Sequence, residues 1–268
     1  MTNNNCECTI VTAYFNFPIK KHTSNSYFEW IINFLPNSNS NMIIFTDKES
    51  YDKIFNLRIN FMDKTKIIKL NIADFYCYNF MEYWNKDHQR DHERGHHHQY
   101  LYMIWNEKSM FLKRAIELNP FNTDYFMWCD IGMVRDKECI KHISLFPNKN
   151  IIKTLKNDKV YLLNITKFDE DDLKITGATE KFRYQNDSVR TGGGGIFGHK
   201  DALEIWIKVY YEMLEEFMNK NYFAGKDQSI MSCVYLKYRN LIELVKPEPS
   251  PFNHWFYMLY FLGNRPIE

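Results

Sequence analysis

The run Tyr125-Phe126-Met127-Trp128-Cys129 constrains this chain more than any other segment. It is continuously apolar and aromatic, and it reads as a buried strand. It ends in Asp130, with Gly132 two positions later. In open α/β sheets, ligands sit beyond the carboxyl ends of strands, where loops carry the chemistry. A carboxylate in that position reads two ways. It can cap a following helix. It can also ligate a divalent metal that in turn holds a diphosphate. Gly132 would let the backbone pass close to such a ligand.

The flanking sequence alternates between two periods. Strands are expected at Thr9–Phe15, Met42–Thr46, Ile67–Leu70 and Tyr161–Ile165, with a glycine-rich strand or loop at Gly192–Gly198. Helices are expected at Ser24–Leu35, Tyr51–Phe55, Leu101–Leu118, Ala202–Met218 and Asp227–Leu236. Pro18–Thr23 reads as a basic loop, and Pro247–Pro251 as the start of a C-terminal loop. Trp255–Leu262 reads as a packed terminal segment. Strand–helix alternation through the first half predicts an α/β fold with a mostly parallel central sheet flanked by helices. There is no repeat and no linker, so the 268 residues are read as a single domain, 1–268. A Gly-x-Gly-x-x-Gly turn is missing after the first strand, which argues against a nicotinamide-dinucleotide enzyme.

Charge excludes several partner classes. Lys and Arg total 34 against 33 acids, a net charge of +1, without a long basic stripe. Nucleic acid is therefore not expected as a partner, nor an anionic membrane surface. Aromatic residues reach 17 %, but Asn, Lys, Ile, Tyr and Phe are abundant together. That joint bias fits an AT-rich genome and is no evidence of sugar stacking. The six cysteines follow neither a disulfide nor a zinc spacing. The polar tail Met1–Cys8 lacks the apolar core of a signal peptide, and no apolar run could form a transmembrane segment. A cytoplasmic, reducing location is the expectation.

Several residues can carry chemistry. Tyr14, in Thr12-Ala13-Tyr14, closes the first strand and either stacks on a base or caps the core. Asp47 closes the second and either bonds a ribose or base, or caps a helix. Lys108, inside the long helix, reaches a phosphate or is a solvated lysine. Gly192–Gly195 is four consecutive glycines beside an apolar run, which points to close approach of backbone and ligand, or to a mobile loop. Asp227, next to Gln228, is an N-cap or a carboxylate poised over a reacting sugar, where it would serve as general base or charge stabiliser. His88, His92, His96, His97 and His98 crowd a polar stretch within Asp87–Gln99. His92 and His96 have a zinc-clasp spacing, but Gly95 interrupts the helix it would need. The favoured reading is a solvated, His-rich polar insertion over 85–99, with a metal-binding module as a minor alternative.

Taken in order, these blocks resemble one family. They are Val11–Phe15, Ser24–Trp30, Ile44–Asp47, Tyr102–Lys108, Trp128–Gly132 with Arg135, Gly193–Gly198, Gly225–Gln228 and Trp255–Leu262. The chain resembles the HtrL/YibB family, bacterial-type proteins of glycosyltransferase type A fold. The resemblance implies a single-domain type A glycosyltransferase-like fold. It also implies transfer of a sugar from a nucleotide-sugar donor to a glycan or glycoprotein acceptor, with Mn²⁺ or Mg²⁺. By position, Thr12, Ala13, Tyr14 and Asp47 would line the nucleoside pocket. Asp130 would bind the metal, Gly193, Gly194 and Gly195 would border donor and acceptor, and Asp227 and Gln228 would face the sugar. The usual type A motif offers two acids one residue apart, but here the second position is Gly132. His254 is then a candidate further metal ligand. The competing reading is a catalytically silent sugar- or nucleotide-binding protein on the same fold.

Overall fold

The computed structural model describes residues 7–17, 24–183 and 189–267. The expected basic loop Pro18–Thr23 and nearly all of the polar tail lie outside the described residues. In chain order the strands are β1 (Cys8–Tyr14), β2 (Asn41–Thr46), β3 (Thr65–Lys69), β4 (Tyr125–Cys129), β5 (Val160–Asn164), β6 (Thr191–His199) and β7 (Ile242–Val245). The helices are α1 (Ser24–Phe34), α2 (Tyr51–Leu57), α3 (Met81–Arg90), α4 (Gln99–Leu118), α5 (Lys149–Ile152), α6 (Lys200–Asn219), α7 (Asp227–Lys237) and α8 (Tyr257–Gly263).

The strands form one seven-stranded sheet in the order β3-β2-β1-β4-β6-β5-β7. β1, β2, β3 and β4 are mutually parallel, and β7 runs parallel to β5. β6 alone is reversed, pairing antiparallel with both β4 and β5. Alternation along each strand divides the side chains between two cores. Val11, Phe126 and Trp128 enter the layer shared with α4, α6 and α7. Ile10, Met127 and Cys129 enter the layer shared with α1 and α8. All five residues of β4 are buried, which is why that run carries no polar alternation. Burying a side chain such as Phe126 stabilises the fold by about 1.5–3 kcal/mol.

The glycine run is strand and not a mobile loop. The solvated reading of 85–99 is corrected. Asp87, Asp91 and His97 are buried, while His92 and His96 are exposed on a turn. Asp91 accepts hydrogen bonds from His97 Nδ1 (2.7 Å), the Tyr102 hydroxyl (2.6 Å) and the Glu93 amide (2.9 Å). Asp87 accepts from Arg90 and from the Ala224 amide, and burial pushes its carboxyl up to about 6. Composition hid this because polar residues satisfied by one another can be buried without an apolar pattern. Among the described residues, no helix is long and apolar enough to cross a membrane. The described cysteines, Cys8, Cys77, Cys129, Cys139 and Cys233, are free and buried.

Candidate active site

β1 lies between β2 and β4; the connection leaving β1 runs to β2 on one side, and the connection leaving β4 runs toward β5 on the other. A crevice forms at such a switch point. A cleft opens there. Ala13 and Tyr14 line it from β1, Trp128 and Asp130 from the end of β4, and Leu101, Ile104, Trp105 and Lys108 from α4. The four α4 residues fall at i, i+3, i+4 and i+7, one helical face. That spacing was readable in the sequence and would have added Leu101, Ile104 and Trp105 to the site.

Lys108 is the centre of the arrangement, not a solvated helix lysine. Its side chain is 5 % exposed, and its ammonium lies 2.9 Å from Asp227 Oδ2 and 3.2 Å from Asp130 Oδ1. It donates a further hydrogen bond to the Gly193 carbonyl, at 2.8 Å. The Gly193 carbonyl takes one of its three donors, and the two carboxylates hold the charge by ion pairing; Asp227 Oδ2 itself is a buried oxygen without a hydrogen bond among the described residues. Burial alone would lower its pKa, but the carboxylates of Asp130 and Asp227 outweigh that and hold it above its ordinary value. Lys108 therefore sits in the cleft wall but is committed to protein acceptors, so the phosphate-reaching role expected of it needs another cation.

The two carboxylates differ. Asp130 follows β4 and is tied to the sheet by its amide, which donates to the Gly194 carbonyl at 2.9 Å. Its Oδ1 also accepts from the Trp128 indole at 2.7 Å, and its side chain is 38 % exposed. No helix begins directly after it, so it is not a helix cap. Oδ2 remains the oxygen able to take a ligand. Asp227 is the first residue of α7 and is buried; its Oδ1 accepts from the Gln228 amide at 2.9 Å. Burial raises its pKa, and Lys108 opposes that rise. Gln228 is half-buried beside it, and its carbonyl accepts from Thr191 Oγ1 at 3.0 Å.

The glycine run exists because side chains have no room there. None of the described glycines has a positive φ. A Cβ on Gly193 would lie 2.6 Å from Asp227 Oδ2. On Gly192 it would press on Leu163 at 3.1 Å, and on Gly195 on Met258 at 3.2 Å. Gly194 differs: its nearest neighbour would be Asp130 Oδ2, at an ordinary 3.6 Å.

Other expected residues fall elsewhere. Thr12 is fully buried in β1 and does not line the cleft. Tyr14 does, with its ring 6.4 Å from that of Tyr27. Asp47 accepts from the amides of Asn16 and Ser50, both at 2.6 Å. It thus braces the loop after β1 against the start of α2. Asp47→Ala should lower stability by about 1–2 kcal/mol, checked by denaturant melts; an unchanged midpoint would remove the bracing role. Gly132 is crowded: a Cβ there would lie 3.1 Å from the Trp30 ring, which would have to give by a few tenths of an ångström. His254 is exposed. Among the described residues, the group of three His, Cys, Asp or Glu ligand atoms near one another is Asp91, Glu93 and His97, within 4.8 Å. It could hold a divalent ion, but Lys226 Nζ already lies 2.5 Å from Glu93 Oε2. Asp130, His254, His92 and His96 are not part of it.

The fold is shared with known enzymes. Mouse xyloside xylosyltransferase 1, in its apo form, superposes with a TM-score of 0.51 at 8 % identity, covering 89 % of this chain and 85 % of that one. The likeness establishes a type A glycosyltransferase-like fold. No curated protein matches in sequence. A family model described as a bacterial protein of unknown function (HtrL_YibB) matches residues 6–260. The chain belongs to the HtrL/YibB family.

Proposed function

We propose that this chain is a glycosyltransferase that moves a sugar from a nucleotide-diphosphate donor to a glycan or protein acceptor. One observation carries the reading. Asp130 and Asp227, far apart in sequence, meet on the Lys108 ammonium beside the glycine run; Asp130 and Lys108 line a cleft whose nucleoside side would be Ala13 and Tyr14, and Asp227 lies buried behind Lys108. Asp227 suits a role beside the reacting sugar. A carboxylate there can take a proton from the acceptor or stabilise an oxocarbenium-like centre. Gln228 would hydrogen-bond the sugar. Lys108 holds both carboxylates in place and screens them from each other.

The donor set at Asp130 fits Mn²⁺ or Mg²⁺ in one way only. Such ions take six or more oxygens, and Asp130 offers Oδ2 alone, with an ammonium near its other oxygen. The fit is to an ion that arrives with the donor and shares its phosphate oxygens, with Asp130 as the protein ligand. His254 is not needed in that set. When bound, such an ion neutralises charge on the leaving diphosphate.

The second reading, a silent nucleotide-sugar binder, rests on Gly132 standing where the type A motif has its second acid. A panel of nucleotide sugars separates the two, read by thermal shift and by release of nucleoside diphosphate, with Mn²⁺ and with chelator. Binding with turnover supports the enzyme; binding without turnover supports the silent relative. Asp130→Asn should keep the melting temperature within a few degrees and lose nearly all turnover. Full turnover in that variant would overturn its assignment.

A further inference from the structure

The leaving diphosphate needs a cation, and the Lys108 ammonium is already ion-paired with Asp130 and Asp227 and bonded to the Gly193 carbonyl. Arg135 has donors left for one. It lies on the loop that follows Asp130, and its guanidinium packs 4.1 Å from the Trp30 ring centroid and 4.7 Å from that of Phe256. Both contacts are cation–π in kind and take up none of its N–H donors. Among the described residues, its hydrogen-bond acceptor is the Gly132 carbonyl, reached by Nε at 3.4 Å. The two terminal nitrogens are unspent, and the residue as a whole is exposed.

Its surroundings join it to the cleft. Trp30 packs 5.4 Å from Tyr27, and Tyr27 lines the cleft beside Asp130 and Lys108. Tyr27 and Asp130 both act electrostatically on the Arg135 charge. A guanidinium held by two aromatic rings with its terminal donors free is pre-organised for bidentate phosphate binding, at little further entropic cost.

We propose that Arg135 is the diphosphate-binding cation of the donor site, clamped for that task between Trp30 and Phe256. This rests on the glycosyltransferase reading and assigns a residue to its phosphate subsite. It also gives the C-terminal segment a role in donor affinity, because Phe256, just before α8, forms one jaw of the clamp.

Calorimetric titration of the full chain tests it, using ADP, GDP, UDP and CDP, the corresponding nucleosides and inorganic pyrophosphate, with and without Mn²⁺. Arg135→Gln should weaken the best-bound nucleoside diphosphate by about ten- to a hundredfold and leave its nucleoside unaffected. Arg135→Lys should recover only part of that loss, because a point charge cannot make the bidentate contact. Phe256→Ala should cost several-fold although the cation is kept. If Arg135→Gln binds the diphosphate like wild type, the proposal falls and the glycosyltransferase reading stands. If it loses diphosphate and nucleoside equally, Arg135 is a strut of the cleft and the proposal falls. If wild type binds none of the nucleoside diphosphates, both fall together.

Discussion

Lys108→Met is expected to lower the unfolding free energy by about 3–5 kcal/mol, the range for removing one partner of a buried ion pair. Methionine fills much of the same volume, so the loss is electrostatic. Asp227 would be left buried without its cation. The pH dependence identifies the cause. Burial already raises the Asp227 pKa with Lys108 present, and without Lys108 it must rise further. A group whose folded pKa lies above its unfolded value favours the fold at low pH, and that contribution is lost as pH rises through the folded pKa. The variant's deficit should therefore be larger at pH 8 than at pH 5. Denaturant melts at the two pH values measure it, and a deficit equal at both would mean that packing is responsible. Adding Asp227→Asn should restore part of the stability, since it removes the stranded charge.

A second large effect is expected from one methyl group. In Gly193→Ala the new carbon would stand 2.6 Å from Asp227 Oδ2. Asp227 cannot swing away freely, because it is buried, its Oδ1 accepts from the Gln228 amide and its charge is paired with Lys108. A displacement approaching 1 Å at a reacting group costs about a hundredfold in rate. The loss should appear in kcat. Gly194→Val should behave differently, because a Cβ there makes only ordinary contacts, with Asp130 Oδ2 at 3.6 Å and Met133 Sδ at 3.7 Å. It should keep the melting temperature and obstruct donor binding, raising KM. Similar kcat and KM changes in the two variants would mean that the glycines are not distinguished by these contacts.

The fold was largely legible because its signals are local. The span expected for β4 matches residue for residue, and α4 begins only two residues before its expected start. What was missed depends on distant partners. α3 carries a polar sequence, and its burial depends on Asp87 finding Ala224 across the fold. β7 is only four residues long and is recognised by pairing with β5. At the site, the acids could be named from strand ends and glycine neighbours. The state of Lys108 could not, because its three partners come from β6, α7 and the end of β4. Asp47, expected to bond a nucleoside or to cap a helix, instead accepts from the amides of Asn16 and Ser50, a brace that depends on the loop after β1. Thr12 was placed in the pocket by the resemblance, although its position inside β1 puts it out of reach of the cleft.

The reversal of β6 fixes where chemistry can occur. Because β6 runs against β4, its first residues lie at the carboxyl end of β4, and the register sets Cys129 opposite Gly195. Had β6 run parallel, the glycine run would begin at the opposite edge of the sheet. One extra residue between Gly195 and His199 would slip the pairing and turn each following side chain to the other face. Insertions should therefore be tolerated poorly within this hairpin-like seam and readily in the solvent loops around it. The sheet thus acts as a ruler that sets the spacing between acid and glycine run.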